Sequence, residues 1–425
     1  MPAEAADTTV PRAPSADPAP SAEEDTTLRK LAPPLLSKLS LASHIYGLKG
    51  VIAPLLWLRG WAEYFYPPAE TPNIVKIYEC RPHLPVRIFF PKTYDQTSQA
   101  TLPTLFTIHG GGFCIGHIRD DDEWNRAFAD SQGVLVIALN YSKAPAAPFP
   151  TAIYDLEVLL LATLADESLP IDRSTYLDPS GVKRSRTAIL GFSAGGNLAL
   201  SVSQLPSVRQ HRISPAAAVS VYGYLDLSVS EDEKLGNRPF KTSLEYPRGD
   251  VKDGLSSLIP TFNWSYVPYG HDLRDPLLSP YFAPASNLPP FVGLIATELD
   301  LLAHESWRLA CRLAKERGKD GFEVPDPRSE DPKERICGSE AVVSQPGELS
   351  VLDDTGNSDT RFAFEETWKG GGVKWLLVSD ALHGFDNKHI RQLMGGKETI
   401  ADAQVKTAVF MDLLGLWLKA TVWHL

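Results

Sequence analysis

Thr187-Ala188-Ile189-Leu190-Gly191-Phe192-Ser193-Ala194-Gly195-Gly196-Asn197 runs from a short apolar stretch, through a serine with glycine on both sides, into the helix-like NLALSVSQL. A strand-to-helix turn of this kind holds the serine in a strained conformation. Its hydroxyl is then presented at the C-terminal edge of a sheet and at a helix N-terminus. Glycine is needed on either flank because a Cβ there would collide with neighbouring backbone. The stretch predicts a nucleophile at Ser193 and a strand-turn-helix unit around it.

Working outward, short and almost wholly apolar runs recur at 104–108, 134–139, 187–190, 217–222, 291–296 and 373–378, separated by helix-like stretches. Strands apolar on both faces belong to a parallel sheet covered by helices. The fold expected is a doubly wound α/β core. Upstream of it, NIVKIYEC and LPVRIFFP alternate apolar with polar residues between 74 and 90, as an edge hairpin does.

Upstream of the serine, the run LFTI ends in His109-Gly110-Gly111-Gly112-Phe113. Consecutive glycines let backbone N–H groups converge on one point, as a developing oxyanion requires. The N–H groups of Gly110 and Gly111, with that of Ala194, are expected to form the hole, and His109 to anchor the loop. No GxGxxG register and no Lys-Ser/Thr pair follows, which argues against a phosphate loop. Of the ten histidines, His383 in Ala381-Leu382-His383-Gly384-Phe385 lies just beyond the apolar run VKWLLV and is the expected base. His304, His117 and His389 read as surface or helix residues. The orienting acid belongs between serine and histidine in chain order. Asp300, after the strand FVGLIATE, is chosen, with Asp226 and Glu298 as the other candidates.

With these residues in hand the chain resembles the hormone-sensitive-lipase-like carboxylesterases of the α/β-hydrolase fold. The resemblance rests on HGGGF at 109–113, on Asn140-Tyr141-Ser142-Lys143-Ala144-Pro145 with Pro148-Phe149-Pro150 and Asp155, on GFSAGGN, on Asp300-Leu301-Leu302 with Glu305, and on His383-Gly384-Phe385. It spans roughly Thr101 to the C-terminus. It implies Ser193, Asp300 and His383 as a triad, an oxyanion hole from Gly110, Gly111 and Ala194, a helical N-terminal cap, and short- to medium-chain ester substrates. The implied reaction passes through an acyl-enzyme and needs no metal or organic cofactor. Phe192 stands where many members carry Asp, and an insertion after Gly318 lengthens the path to the histidine. Two other uses of the scaffold stay open: a small-molecule tailoring enzyme running dehydration, cyclisation or deacylation with the same triad, and a non-catalytic ligand receptor. Receptors related to this family have lost the histidine, whereas His383 is present.

Composition bounds the rest. With 43% hydrophobic and 22% charged residues over 425 positions, the chain can bury a large core. A formal net charge of -11 and the lack of any Lys/Arg-rich block argue against nucleic acid as a partner. Cys80, Cys114, Cys311 and Cys337 show neither metal-ligand spacing nor a disulfide framework. Residues 1–27 read as a disordered tail rich in Pro, Ala and acidic side chains, with no secretory pattern, so a cytoplasmic location is expected.

Residues 28–66 read as two or three short cap helices interrupted by Pro33, Pro34 and Pro54, and 67–425 as the catalytic domain. Within that domain, 226–288 is a cap excursion and 319–371 a flexible acidic insertion too poor in aliphatics to fold alone. VIAPLLWLRGW at 51–61 is broken by Pro54 and Arg59, so no transmembrane anchor is expected. The cap helices are expected to close over the crevice above Ser193, with a membrane-surface role as the less favoured alternative, because Lys49 and Arg59 are few cations for an interfacial helix. Trp57, Trp61, Tyr64, Trp264, Tyr266 and Tyr269 are candidates for an apolar acyl or aryl pocket, and equally for helix packing.

Overall fold

A computed structural model describes residues 28–236, 254–317, 363–393 and 396–425. The expected tail at 1–27, residues 237–253 of the cap excursion, residues 319–362 of the acidic insertion, and Cys337 lie outside the described residues. Eleven strands are described: β1 Ile74–Lys76, β2 Val86–Phe89, β3 Thr104–Ile108, β4 Leu135–Leu139, β5 Thr175–Leu177, β6 Lys183–Ser185, β7 Thr187–Phe192, β8 Ala217–Val221, β9 Phe291–Thr297, β10 Ala363–Trp368 and β11 Gly371–Val378. Nine of them form one sheet in the order β1-β2-β4-β3-β7-β8-β9-β11-β10, while β5 and β6 pair separately. The six strands from β4 through β3, β7, β8 and β9 to β11 run parallel, with antiparallel partners at both edges.

Why these runs become central strands is visible in β4. Leu135, Ile137 and Leu139 face one core, and Val134, Val136 and Ala138 face the other. Alternate side chains point to opposite faces, so a strand buried on both sides must be apolar throughout. Helices α3 (Thr151–Ala165), α4 (Ala194–Ser203) and α6 (Ala303–Arg317) cover the first face; α2 (Asp122–Gln132) and α7 (Lys397–Leu418) cover the second.

The chain passes from β3 outward to β4, then returns to place β7 on β3's other side. A ligand crevice forms where connections leave adjacent strand ends in opposite directions. The His109 loop follows β3 and Ser193 follows β7, so the two lie side by side at that point.

Two expectations are corrected here. The region 28–66 contains one continuous helix, α1 (Leu35–Phe65), rather than two or three short ones, and Pro54 lies inside it. Pro54 and Gly50 are both on the exposed side, where water can satisfy the Gly50 carbonyl that the proline leaves without a donor. By length and composition alone α1 could cross a membrane, although 51–61 by itself is too short. The second correction concerns residues 363–371 of the acidic insertion. Ala363–Trp368 is an edge strand, paired antiparallel with β11 from Ala363↔Leu376 to Trp368↔Gly371. Glu365 pairs with Lys374 of β11 at 3.1 Å and accepts Trp417 Nε1 at 3.0 Å, and an edge strand tolerates the half-buried Glu366 on its other face.

Candidate active site

Ser193 has φ 54° and ψ -120°, a conformation that costs a non-glycine residue about 1–3 kcal/mol. Surrounding bonds impose it: Ser193 N donates to Val221 O at 2.9 Å, and α4 begins at the next residue. The flanking glycines are there for space. A Cβ on Gly191 would lie 1.9 Å from Gly195 O, and one on Gly195 would lie 2.2 Å from Ile108 O. Both obstacles are backbone. Gly195→Ala is therefore expected to destabilise the fold by at least the ~1–3 kcal/mol typical of overpacking. A thermal midpoint equal to that of the parent protein would refute this account of the turn.

His383 Nε2 lies 2.8 Å from Ser193 Oγ, and His383 Nδ1 lies 2.7 Å from Asp300 Oδ2. Asp300 is wholly buried, and its other oxygen accepts Leu302 N at 2.9 Å. The three residues come from the ends of β7, β9 and β11. Strands β9 and β11 are paired in register through Val378↔Thr297, which brings the loops of Asp300 and His383 together.

The other two carboxylates are engaged elsewhere. Glu298 accepts Asp380 N at 2.9 Å and so supports the turn before the histidine, at a residue whose φ is 53°. Asp226 accepts Ser228 N and Oγ and lies 3.6 Å from Arg308.

The loop after β3 brings Gly110 against Ser193: a Cβ there would lie 3.3 Å from Ser193 Cβ. Gly111 has φ 116°, a backbone conformation that L side chains rarely adopt. Ala194 is the first residue of α4, so its N–H is among those a helix leaves without an intrahelical partner.

His109 is buried beneath this loop. Its Nδ1 donates to Gly110 O at 2.7 Å, which leaves Nε2 to accept from Lys143 Nζ at 3.0 Å. Burial, then the nearby Lys143 charge, holds its pKa well below the ordinary histidine value. The Tyr141 ring stacks on it at 4.5 Å, and Tyr141 Oη donates toward His109 O and Gly110 O. The imidazole at Ser193 is that of His383, whereas His304 lies in α6 with its ring stacked on Trp307 at 5.5 Å.

Lys143 itself is held at about 7, principally by burial; Asp120 and Asp155 oppose the shift and Lys49 adds to it. In the unfolded chain the same ammonium titrates near 10.4. Between these values the unfolded state binds more protons, so this group's contribution to stability rises with pH from about 7 and is lost as pH falls toward 7. Lys143→Met is expected to flatten the rise in urea midpoint between pH 6 and 9. An unchanged slope would show that Lys143 does not titrate in this window.

Two residues not singled out from the sequence join the site. The Tyr222 ring lies 4.7 Å from the His383 ring, and Tyr222 Oη donates to Asp386 Oδ1. Burial pushes the Asp386 carboxyl up to about 6, against the hydrogen bond from Tyr222. The available signals were slight: Asp386 stands three residues after the histidine, and Tyr222 closes the β8 apolar run.

The cap excursion, described at 226–236 and 254–288, leaves the sheet between β8 and β9 as expected. Its helix α5 (Ile259–Tyr266) lies on the glycine loop. Phe262 occupies the space a Gly112 side chain would need, and the Tyr266 ring stacks on Phe113 at 3.9 Å. Asn197 of α4 donates to Tyr224 O and Leu278 O, and Glu305 accepts Leu225 N while paired with Lys234. These bonds tie the excursion to α4 and to α6. Helix α1 packs in turn against α5. Of the aromatic pocket candidates, Tyr266 is buried and Trp264 half-buried, whereas Trp57, Trp61, Tyr64 and Tyr269 are exposed. The first three lie on the side of α1 away from the domain.

A sequence profile for a family described as having the α/β hydrolase fold matches residues 105–324. An arylacetamide deacetylase of Oryctolagus cuniculus is 32% identical over 171 residues, which is 40% of either chain. An arylesterase of Saccharolobus solfataricus is 29% identical over 232 residues, 54% of this chain and 66% of that one. The match thus spans between 40% and 66% of the length of these curated relatives. Among solved structures, a Pyrobaculum calidifontis esterase aligns with a TM-score of 0.53 over 92% of this chain and 98% of its own, at 20% identity, a likeness of fold alone. From its motifs, its sheet and this profile together, the chain belongs to the α/β hydrolase fold family, among the hormone-sensitive-lipase-like carboxylesterases.

Proposed function

We propose that this chain hydrolyses carboxylic esters through an acyl-enzyme on Ser193. The observation that carries the reading is the unbroken line of hydrogen bonds from Ser193 Oγ through His383 to the buried Asp300, beside a glycine loop. His383 Nε2 takes the Ser193 proton as Oγ attacks the carbonyl carbon, and Asp300 holds the imidazole orientation and stabilises its cation. The N–H groups of Gly110, Gly111 and Ala194 receive the oxyanion. Collapse of the tetrahedral intermediate expels the alcohol, which takes the proton from Nε2. Water then attacks the acyl-enzyme, giving its proton to Nε2, and the acid leaves as Oγ regains that proton. Every proton required is carried by Ser193, His383, water or substrate.

Tyr266 and Phe113, stacked beside the loop, and Phe262 over Gly112 back the glycine loop with buried aromatic packing. The substrates of this reading are small to medium apolar or aryl esters. The test is a panel of p-nitrophenyl esters of increasing acyl length, with an organophosphonate as inactivator. Hydrolysis of the shorter esters and a single adduct on Ser193 are expected. Labelling at another residue, or labelling with no turnover of any ester, would overturn the reading.

A further inference from the structure

Helix α1 carries its polarity toward the protein. Among its described residues every Lys, Arg, Asp and Glu lies on the inward side, and none is exposed. Lys38 Nζ sits 5.1 Å from the centre of the Tyr269 ring, and Lys49 Nζ donates to Ala144 O. Arg59 pairs with Glu63 at 2.6 Å and with Asp120 at 3.0 Å, and Arg119 approaches the same Glu63 at 3.4 Å. The outward side is mainly apolar: Leu36 is 81% exposed, Tyr64 80%, Trp57 63%, and Val51, Leu58 and Trp61 are exposed with them, while Ser37, Ser40, Ser43 and His44 are its exposed polar residues, all in the N-terminal third. A helix lying on a water-soluble domain normally shows the opposite arrangement. Contiguous apolar surface on this scale marks an interaction site.

The shape of the patch narrows what can cover it. At 3.6 residues per turn, the exposed apolar positions of α1 sweep roughly 200° of its circumference. A partner helix or a second copy of α1 covers a stripe nearer ~100° wide. A broad fluid surface covers the whole arc. Trp57, Trp61, Tyr64 and Phe65 gather toward one end of the helix, and Trp and Tyr favour the headgroup level of a bilayer. Pro54 leaves the Gly50 carbonyl without a helical donor on this same side, and the hydrated headgroup region can supply one where hydrocarbon cannot.

Charge decides the kind of lipid. The exposed arc has no Lys or Arg, and the chain carries a net charge of -11, so nothing here attracts an anionic surface. The inward ion pairs decide the depth. Drawing α1 into a bilayer core would strip Arg59, Glu63 and Lys49 from their partners and bury them.

We propose that α1 docks this protein on a neutral, zwitterionic lipid surface, lying in the interface with its outward arc among the headgroups and upper acyl chains. This goes beyond ester hydrolysis and stands whether or not Ser193 is a nucleophile.

The test uses the full chain with phosphatidylcholine vesicles in a flotation assay. Co-flotation is expected, with little change between 0.1 and 1 M NaCl, and vesicles containing brominated phosphatidylcholine should quench tryptophan fluorescence. Leu36→Glu/Leu58→Glu, checked by circular dichroism, should lower vesicle affinity at least tenfold. If that pair fails to fold, Leu36→Gln/Leu58→Gln and quenching of the parent protein carry the same test. No flotation and no quenching would overturn the proposal. So would binding only to phosphatidylserine vesicles with loss in high salt, or a parent dimer, inert to lipid, that the double substitution turns into monomer.

Discussion

Ser193→Ala is expected to lower kcat for a p-nitrophenyl ester by on the order of 10⁶-fold, leaving the 10³- to 10⁴-fold residual over water that binding and an oxyanion hole supply. The fold should persist. The backbone bond from residue 193 to Val221 O does not involve the hydroxyl, and the elbow is held by glycine contacts on either flank. Alanine at φ 54° is no more strained than serine, so the thermal midpoint should move little. Stopped-flow or long-time-course assays of the purified variant give the rate, and circular dichroism gives the fold. Activity within tenfold of the parent protein would remove Ser193 from the chemistry altogether. Inactivity with a collapsed midpoint would show instead that the hydroxyl is structural.

Asp300→Asn should cost on the order of 10⁴-fold in kcat, because an amide in that place favours the histidine tautomer that cannot accept from serine. The loss belongs to turnover rather than binding, since Asp300 is buried behind His383 and is 2.7 Å from its Nδ1. KM should therefore change little. Glu298→Gln and Asp226→Asn are the matched controls. The first sits on the Asp380 turn and the second beside Arg308, so their losses should appear in stability, with kcat within about tenfold. A 10⁴-fold fall on altering either control, with Asp300→Asn near normal, would transfer the acid's role to that residue.

How much of this was legible in the sequence depended on whether the cause was local. The runs at 104–108, 217–222 and 373–378 announced central strands because burial on both faces leaves no polar alternation, and the structure places β3, β8 and β11 there. Ser193 and the 109–113 glycines were legible because backbone approach forces their residue types within a few positions. Asp300 was preferred to Glu298 only by position; what separates them is that Glu298 is engaged by Asp380 N, a contact 82 residues away in sequence. Tyr222 and Asp386, 164 residues apart, meet only when β8 and the loop after β11 are side by side. Strand β10 was hidden because its charged residues were averaged with the acidic stretch before it. Helix α1 was cut at Pro54 because a proline read alone is a stop, whereas one on an exposed helix side can be absorbed.

The register between β9 and β11 has a topological consequence. Seven residue pairs, from Gly372↔Phe291 to Val378↔Thr297, fix where Asp300 and His383 stand, and none involves the chain from 318 to 362 that joins α6 to β10. The register itself asks nothing further of that connection. Two polypeptides divided within it, one bearing Ser193 and Asp300 and the other His383, would share a sheet seam between β9 and β11. Across that seam they are expected to complement one another: neither half alone should hydrolyse esters, and mixing the two should restore activity.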